Sequence, residues 1–251
     1  MDPFELSVLT LVGIAFGVIN TLAGGGSIMS LTALLLLGLP PHLANGTNRV
    51  GGLIQSLSAT LAFLRARLIP RRALMCAAPA ATLGALFGAR LSLLFPELLL
   101  ERLIAVALLT FSLALLAPQR WLERPPPPAS GAPLQVLSAF FIGLYGGFLQ
   151  AGIGILLLWM GRRFYGLSVE AATALKVTVA TALTIPALLV FWYHGQIFWL
   201  AGGALATGGA VGALLAVRWT QSHGVRAIRY GLLATASLFS LKLFFQHQTL
   251  F

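Results

Sequence analysis

The chain is predicted to be an all-α polytopic membrane protein made of two inverted-topology repeats, and three observations lead there. The first is composition. Of 251 residues 58% are apolar and only 9% charged, and mean hydropathy is +0.92, so hydrocarbon is the solvent that can cover this surface. The second is an apolar stretch interrupted by glycine, GIAFGVINTLAGGGSIMSLTALLLLGLPPHLANGTNR, from Gly13 to Arg49. Its triplet Gly24, Gly25 and Gly26 costs about 1 kcal/mol per residue against Ala in a helix interior. Broken helix at membrane depth is tolerated only where it is buried in protein or lines a cavity. The third is a second copy of this stretch, about 130 residues further on. Gly13 falls on Gly143, Gly17 on Gly147, Asn20 on Gln150 and Gly24 on Gly154; further on GLPPHLANGTNRV meets GLSVEAATALKV with one residue dropped, where Asn45 falls on Thr173 and Arg49 on Lys176.

The first apolar segment, about Leu6 to Leu37, is interrupted at the triplet, and Pro40 and Pro41 open a loop, Gly38 to Asn48. Val50 to Leu64 spans, followed by a loop with Arg65, Arg67, Arg71 and Arg72. Ala73 to Leu94 returns, with small residues (Gly84, Ala85, Gly88, Ala89) suited to close helix contact. A short loop with Pro96, Glu97, Glu101 and Arg102 leads into Leu103 to Ala117. Pro118 to Pro133, with the run Pro125 to Pro128, is a semi-rigid linker. In the second half Leu134 to Met160 is again glycine-interrupted and ends at Arg162 and Arg163. Ala171 to Trp192 spans, then the loop Tyr193 to Gln196, then Ile197 to Val217, the basic stretch Arg218 to Arg229, and a closing span Tyr230 to Phe245. Aromatic rings at span ends (Trp159, Trp192, Tyr193, Trp199, Trp219) suit the headgroup level.

Loop charge sets the direction. The loop Arg65 to Arg72 carries four arginines and its counterpart Tyr193 to Gln196 carries none, so the positive-inside rule places equivalent loops on opposite sides. The domains are then residues 1–117, a cytoplasmic Pro-rich linker 118–133, and an inverted repeat 134–251. Each half holds a glycine-broken re-entrant hairpin, or two short helices, plus three transmembrane helices. The N-terminus is expected outside, the linker inside, and the protein in a bacterial plasma (inner) membrane.

Composition also excludes. The formal charge of +10 is scattered between apolar spans rather than gathered on one face, which argues against nucleic acid. The lone cysteine, Cys76, allows no intramolecular disulfide and no CxxC relay, and the four histidines are far apart in sequence. No nucleophile–base pair, Walker loop or zinc signature is present, so neither an enzyme nor a cofactor is expected. MDPFELS lacks a basic n-region and does not read as a cleaved signal peptide.

Glycine breaks expose backbone N–H groups at helix starts, which carry about half a positive charge and hold anions. Gly24, Gly25, Gly26 and Ser27 are the candidates in the first half, and Gly152 and Gly154 in the second, with Asn20, Thr21 and Gln150 as side-chain donors. The competing explanation, close helix packing, fits Gly13, Gly17, Gly143 and Gly147 best. A second cluster is Asn45, Thr47, Asn48 and Arg49, against Thr173, Lys176 and Thr178. Cations at membrane depth are kept for a pathway or a partner; the alternative is snorkelling at a span end, and Glu170 is an available partner for Lys176.

The run GVINTLAGGGSIMSLTALLLLGLPPHLANGTNRV resembles the signature of the sulfite exporter (TauE/SafE) family, and the copy at Gly143 to Lys176 is similar to that family's duplicated architecture. The resemblance implies a permease for small sulfur-containing anions such as sulfite or organosulfonates. It implies substrate contacts at Gly24, Gly25, Gly26, Asn45, Thr47 and Asn48, and at Gly152, Gly154 and Thr173. The second half departs from the family pattern, since AGIGIL lacks a full triplet and LKV stands where a Thr-Ser pair is common. The expected partners are a small anion and the lipid bilayer, with homo-oligomerisation open. A passive anion channel of the same fold and a non-transporting scaffold are the alternatives.

Overall fold

The computed structural model describes residues 1–116 and 124–223. These form α1 (Pro3–Leu22), α2 (Gly26–Leu36), α3 (Pro41–Arg65), α4 (Arg71–Leu94), α5 (Glu97–Leu116), α6 (Ala132–Phe148), α7 (Ile153–Arg163), α8 (Val169–Tyr193) and α9 (Trp199–His223). The predicted span Tyr230 to Phe245, residues 224–229 of the basic stretch before it and linker residues 117–123 lie outside the described residues.

Local chemistry explains the boundaries. Asp2 and Glu5 form a capping box at the start of α1, with proline in its first turn. The Ser168 side chain accepts from the Ala171 N–H and starts α8 at Val169. Two expected loops are helical instead. The segment expected as a loop to Asn48 enters α3 at Pro41, because proline suits a first helical position and the polar residues behind it find buried partners. The loop expected at Pro96 to Arg102 is helical from Glu97, whose charge complements the helix start.

Four described helices are long and apolar enough to cross a membrane: Pro3–Leu22, Arg71–Leu94, Val169–Tyr193 and Trp199–Trp219. The exterior is studded with Phe4, Leu36, Met75, Phe87, Leu94 and Leu137, while Asn45, Asn48, Arg49, Gln55 and Lys176 are buried. A water-soluble protein distributes these residues the other way.

Two short helices fold back on the helices before them. The start of α2 sits on α1, where a Cβ at Gly26 would strike the Phe16 carbonyl and Asn20. Further along, Leu31 and Leu34 of α2 share an apolar cluster with Leu9 of α1. The second return is pinned at its far end: the Ser130 N–H and Gln135 Nε2, at the start of α6, donate to the Phe164 carbonyl after α7 at 2.8 and 3.3 Å. At 1.5 Å per residue, α2 and α7 are each only about 16 Å long.

Packing partners come in matched sets. α1 lies on α9 as α6 lies on α4, α3 meets α9 as α8 meets α4, and α3 and α8 meet each other. Glycine stripes set the two closest crossings. A Cβ at Gly13 or Gly17 would strike the α9 backbone, and one at Gly208 or Gly212 the α1 backbone. Likewise a Cβ at Gly84 or Gly88 would strike α6, and one at Gly143 or Gly147 would strike Ala81 or Ala85 of α4. Backbones this close maximise dispersion contact where lipid supplies no hydrophobic drive between helices.

Candidate functional site

The two helix breaks meet. Gly24 (φ +86) and Gly154 touch backbone to backbone, and a Cβ on either would overlap the other. Here glycine is required twice over at Gly24, by the left-handed φ and by the contact. Ser27, in the first turn of α2, ties the breaks together: its Oγ accepts from the Gly152 N–H at 3.0 Å and lies 3.4 Å from the Gln150 carbonyl oxygen, to which it donates. Gly25 is the buried N-cap of α2 and Gly152 (φ 69) the N-cap of α7. The Phe111 ring covers Gly152, and the Tyr145 hydroxyl holds the second break by donating to the Ala151 carbonyl at 2.6 Å. Gln150 has φ 59, a conformation that costs a non-glycine residue of order 1–3 kcal/mol and gathers at functional sites.

Beside this junction lies a cavity of ≈ 20 Å³ lined by Asn20, Ser27, Asn48, Gly52, Gln55, Ser56, Gln150, Gly154, Lys176 and Thr184, among others. That volume holds about one water. Its polar lining is incompletely satisfied. Asn20 donates to Gln55 Oε1 at 2.7 Å, Gln55 to Thr21 Oγ1 at 2.7 Å and Gln150 to Thr184 Oγ1 at 3.1 Å. Asn48 Oδ1 accepts from Ser30 at 2.5 Å. Asn48 Nδ2, Asn20 Oδ1 and Gln150 Oε1 are left buried with no partner among the described residues. Buried polar atoms are normally paired, so three orphans around one cavity call for an occupant.

The two matched cations hold helix ends rather than facing water. Arg49 is 0% exposed and donates to the Gly146 and Gly147 carbonyls at 3.0 and 2.5 Å, with Phe191 stacked under its guanidinium at 4.6 Å. Asn45 takes the next carbonyl, Phe148, at 2.8 Å. Lys176, 1% exposed, donates to the carbonyls of Asn20, Thr21 and Leu22 at 3.1, 2.6 and 3.5 Å, not to Glu170. Each half therefore supplies a cation to the C-terminal carbonyls of the other half's broken helix, where the dipole is negative.

Of the residues expected at a site, Asn20, Ser27, Asn48, Gln150, Gly154 and Lys176 line the cavity. Thr21, Gly24, Gly25, Gly26 and Gly152 adjoin it through the contacts above. The remaining four are not among its lining. Asn45 and Arg49 lie behind the second break, Thr47 accepts from the Phe198 N–H at 2.9 Å and so fixes the approach to α9, and Thr173 bonds the Val169 carbonyl of its own helix. Sequence reasoning missed Gly52, Gln55, Ser56 and Thr184. A signal for the first three was present: with Asn48 they recur at helical spacing along one face of α3.

A bundle with an apolar exterior, its polar groups gathered where two helix breaks meet, is the anatomy of a membrane transporter and not of an enzyme. The family model for the sulfite exporter TauE/SafE matches residues 9–243. The chain belongs to the TauE/SafE family. It is 28% identical over 225 residues to a "Probable membrane transporter protein" of Haemophilus influenzae, covering 89% of this chain and 88% of that one. It is 26% identical over 246 residues to the "Probable membrane transporter protein YfcA" of Escherichia coli K12, covering 98% and 91%. A "Probable membrane transporter protein ORF9" of Sinorhizobium sp is 26% identical, covering 89% and 86%. No solved structure matches the chain.

Proposed function

We propose that this transporter carries small sulfur-containing anions, sulfite or organosulfonates, across a bacterial plasma membrane, and that it holds them between the starts of α2 and α7. The observation that carries the reading is the junction itself. Two helix N-termini from matched halves abut beside a cavity with orphaned amide atoms. First-turn N–H groups and the Asn48 amide offer an oxyanion several donors, while the Lys176 ammonium at the cavity wall is engaged by main-chain carbonyls. Holding it that way keeps release possible, since a site must bind weakly enough to let its cargo leave.

In this reading α1–α2 and α6–α7 are re-entrant hairpins, residues 1–117 and 134–251 are inverted repeats, and 118–133 joins them on the cytoplasmic side with the N-terminus outside. The returning chains, the matched packing sets and the loop arginines support it. The cavity has room for about one water, so admitting a substrate requires the junction to widen, through movement of the close pairs α1/α9 and α4/α6 against each other. A passive channel needs a continuous opening, which the Gly24–Gly154 contact obstructs here.

The test is sulfite flux into proteoliposomes. Saturable uptake is expected, with KM raised at least about tenfold by Asn48→Leu, which removes an orphaned donor while preserving size. Non-saturating, conductive flux would favour the channel, and flux no greater than that of empty vesicles would favour a scaffold.

A further inference from the structure

We infer that Arg67, with Arg71, forms a second, peripheral anion site: a recruiting vestibule on the path to the central cavity. The inference rests on the anion-transport reading above and deepens it.

The first observation is conformational. α2, α3 and α8 end with the same pair of closing hydrogen bonds. Gly38 and Leu39 donate to Leu35 and Leu34 at 3.0 and 3.2 Å after α2, and Gly195 and Gln196 to Trp192 and Phe191 at 2.9 and 2.9 Å after α8. After α3, Arg67 and Leu68 donate to Leu64 and Phe63 at 3.0 and 3.1 Å. This closure needs one residue with a left-handed backbone, nearly always glycine. Glycine supplies it twice, at Gly38 (φ 81) and Gly195 (φ 69), and neither has a neighbour within 4 Å of a built Cβ, so φ and not space explains the choice. The third position is Arg67, φ 57. α3 and α8 are equally long, 25 residues each, and Gly195 follows α8 as Arg67 follows α3. Among the described residues the other non-glycine with positive φ is Gln150, at the cavity. A general need for basic loops does not place an arginine here, because Arg65, Arg71 and Arg72 already supply charge from ordinary backbone.

The second observation is spatial. Arg67 and Arg71 line a depression of ≈ 690 Å³ together with Thr60, Leu64, Ile69, Leu74 and Thr178. That volume admits a hydrated oxyanion. It continues the faces that line the central cavity. On α3, Ser56 lines the cavity and Thr60, one turn on, lines the vestibule; on α8, Val177 lines the one and Thr178 the other. Where the two spaces approach, Thr60 and Thr181 meet hydroxyl to hydroxyl at 3.1 Å. Thr181 gives its own proton to the Val177 carbonyl at 2.9 Å, so Thr60 is the donor. A guanidinium at the mouth raises the local concentration of a small oxyanion, and two hydroxyls close the way behind it.

The experiment is sulfite flux by proteoliposomes at low and high ionic strength, with thermal unfolding in detergent measured alongside. For Arg67→Gly, KM should rise at least about threefold at low salt and approach wild type at high salt, as a screened charge requires. Its Tm should rise by about 2 °C, since glycine relieves the backbone. Arg67→Lys keeps the charge and should keep KM, and Arg65→Gln, at the helix end but outside the lining, should leave KM unchanged. A stable Arg67→Gly protein with wild-type KM overturns the vestibule while leaving central anion transport intact. A KM increase that persists undiminished at high salt also overturns it. Wild-type vesicles with no saturable sulfite flux overturn the transport reading and the vestibule together.

Discussion

Arg49 and Lys176 carry the only matched pair of cations in the repeat, and both are consumed by main-chain carbonyls of the opposite half. A guanidinium with two carbonyl partners is hard to replace, because a neutral side chain leaves both oxygens buried and unpaired. Arg49→Met should therefore cost about 2–5 kcal/mol of stability, read as a large fall in Tm in detergent. Arg102→Met, on the exposed face of α5, should stay within about 0.5 kcal/mol. Equal effects would mean that Arg49 holds nothing. The sequence matched these two cations but left their task open between pathway and anchor. Their partners are carbonyls of a helix 97–98 residues away for Arg49 and 154–156 for Lys176, and a carbonyl has no side-chain signature to be read. Gln55 and Ser56 were missed for another reason. They lie beyond the polar run that drew attention, on a span that otherwise looks apolar.

Two kinds of glycine act at the scale of helices, and they predict different costs. Gly88 sits in a stripe against α6 where a Cβ would strike the Leu144 carbonyl, so Gly88→Leu should cost about 3 kcal/mol or more by forcing α4 off α6. Gly38 has open space and a left-handed φ, so Gly38→Ala should cost about 1 kcal/mol from backbone strain alone. Comparing the Tm of the two variants checks this, and a Gly38→Ala protein destabilised as much as Gly88→Leu would contradict it. The stripes and the first break were legible because Gly24–Gly26 and the spaced glycines have no other economical place in an apolar helix. The second break was harder. Asn20 aligns with Gln150 in sequence, yet Asn20 lies within the last turn of α1 while Gln150 lies in the break itself, so equal residues occupy unequal conformations. The start of α3 was misjudged because Asn45, Thr47 and Asn48 look like loop residues until Ser92 and Phe148, Phe198, and Ser30 are known to partner them in turn.

For the whole molecule, the matched packing of α1 on α9 and α6 on α4 makes two close pairs, each built from one N-terminal and one C-terminal helix. Gly24 and Gly154 align in sequence, whereas their direct contact is a property of the assembled bundle and no local pattern announces it. The cavity of ≈ 20 Å³ holds about one water, so in the proposed reading substrate binding widens the junction. The most direct test is to locate a bound oxyanion crystallographically, using selenite, whose shape follows sulfite and whose selenium gives an anomalous signal. The selenium peak is expected between the starts of α2 and α7, within hydrogen-bonding reach of Ser27, Asn48 and the Gly154 N–H. Selenium bound away from that junction, in a protein that still transports sulfite, would contradict the account.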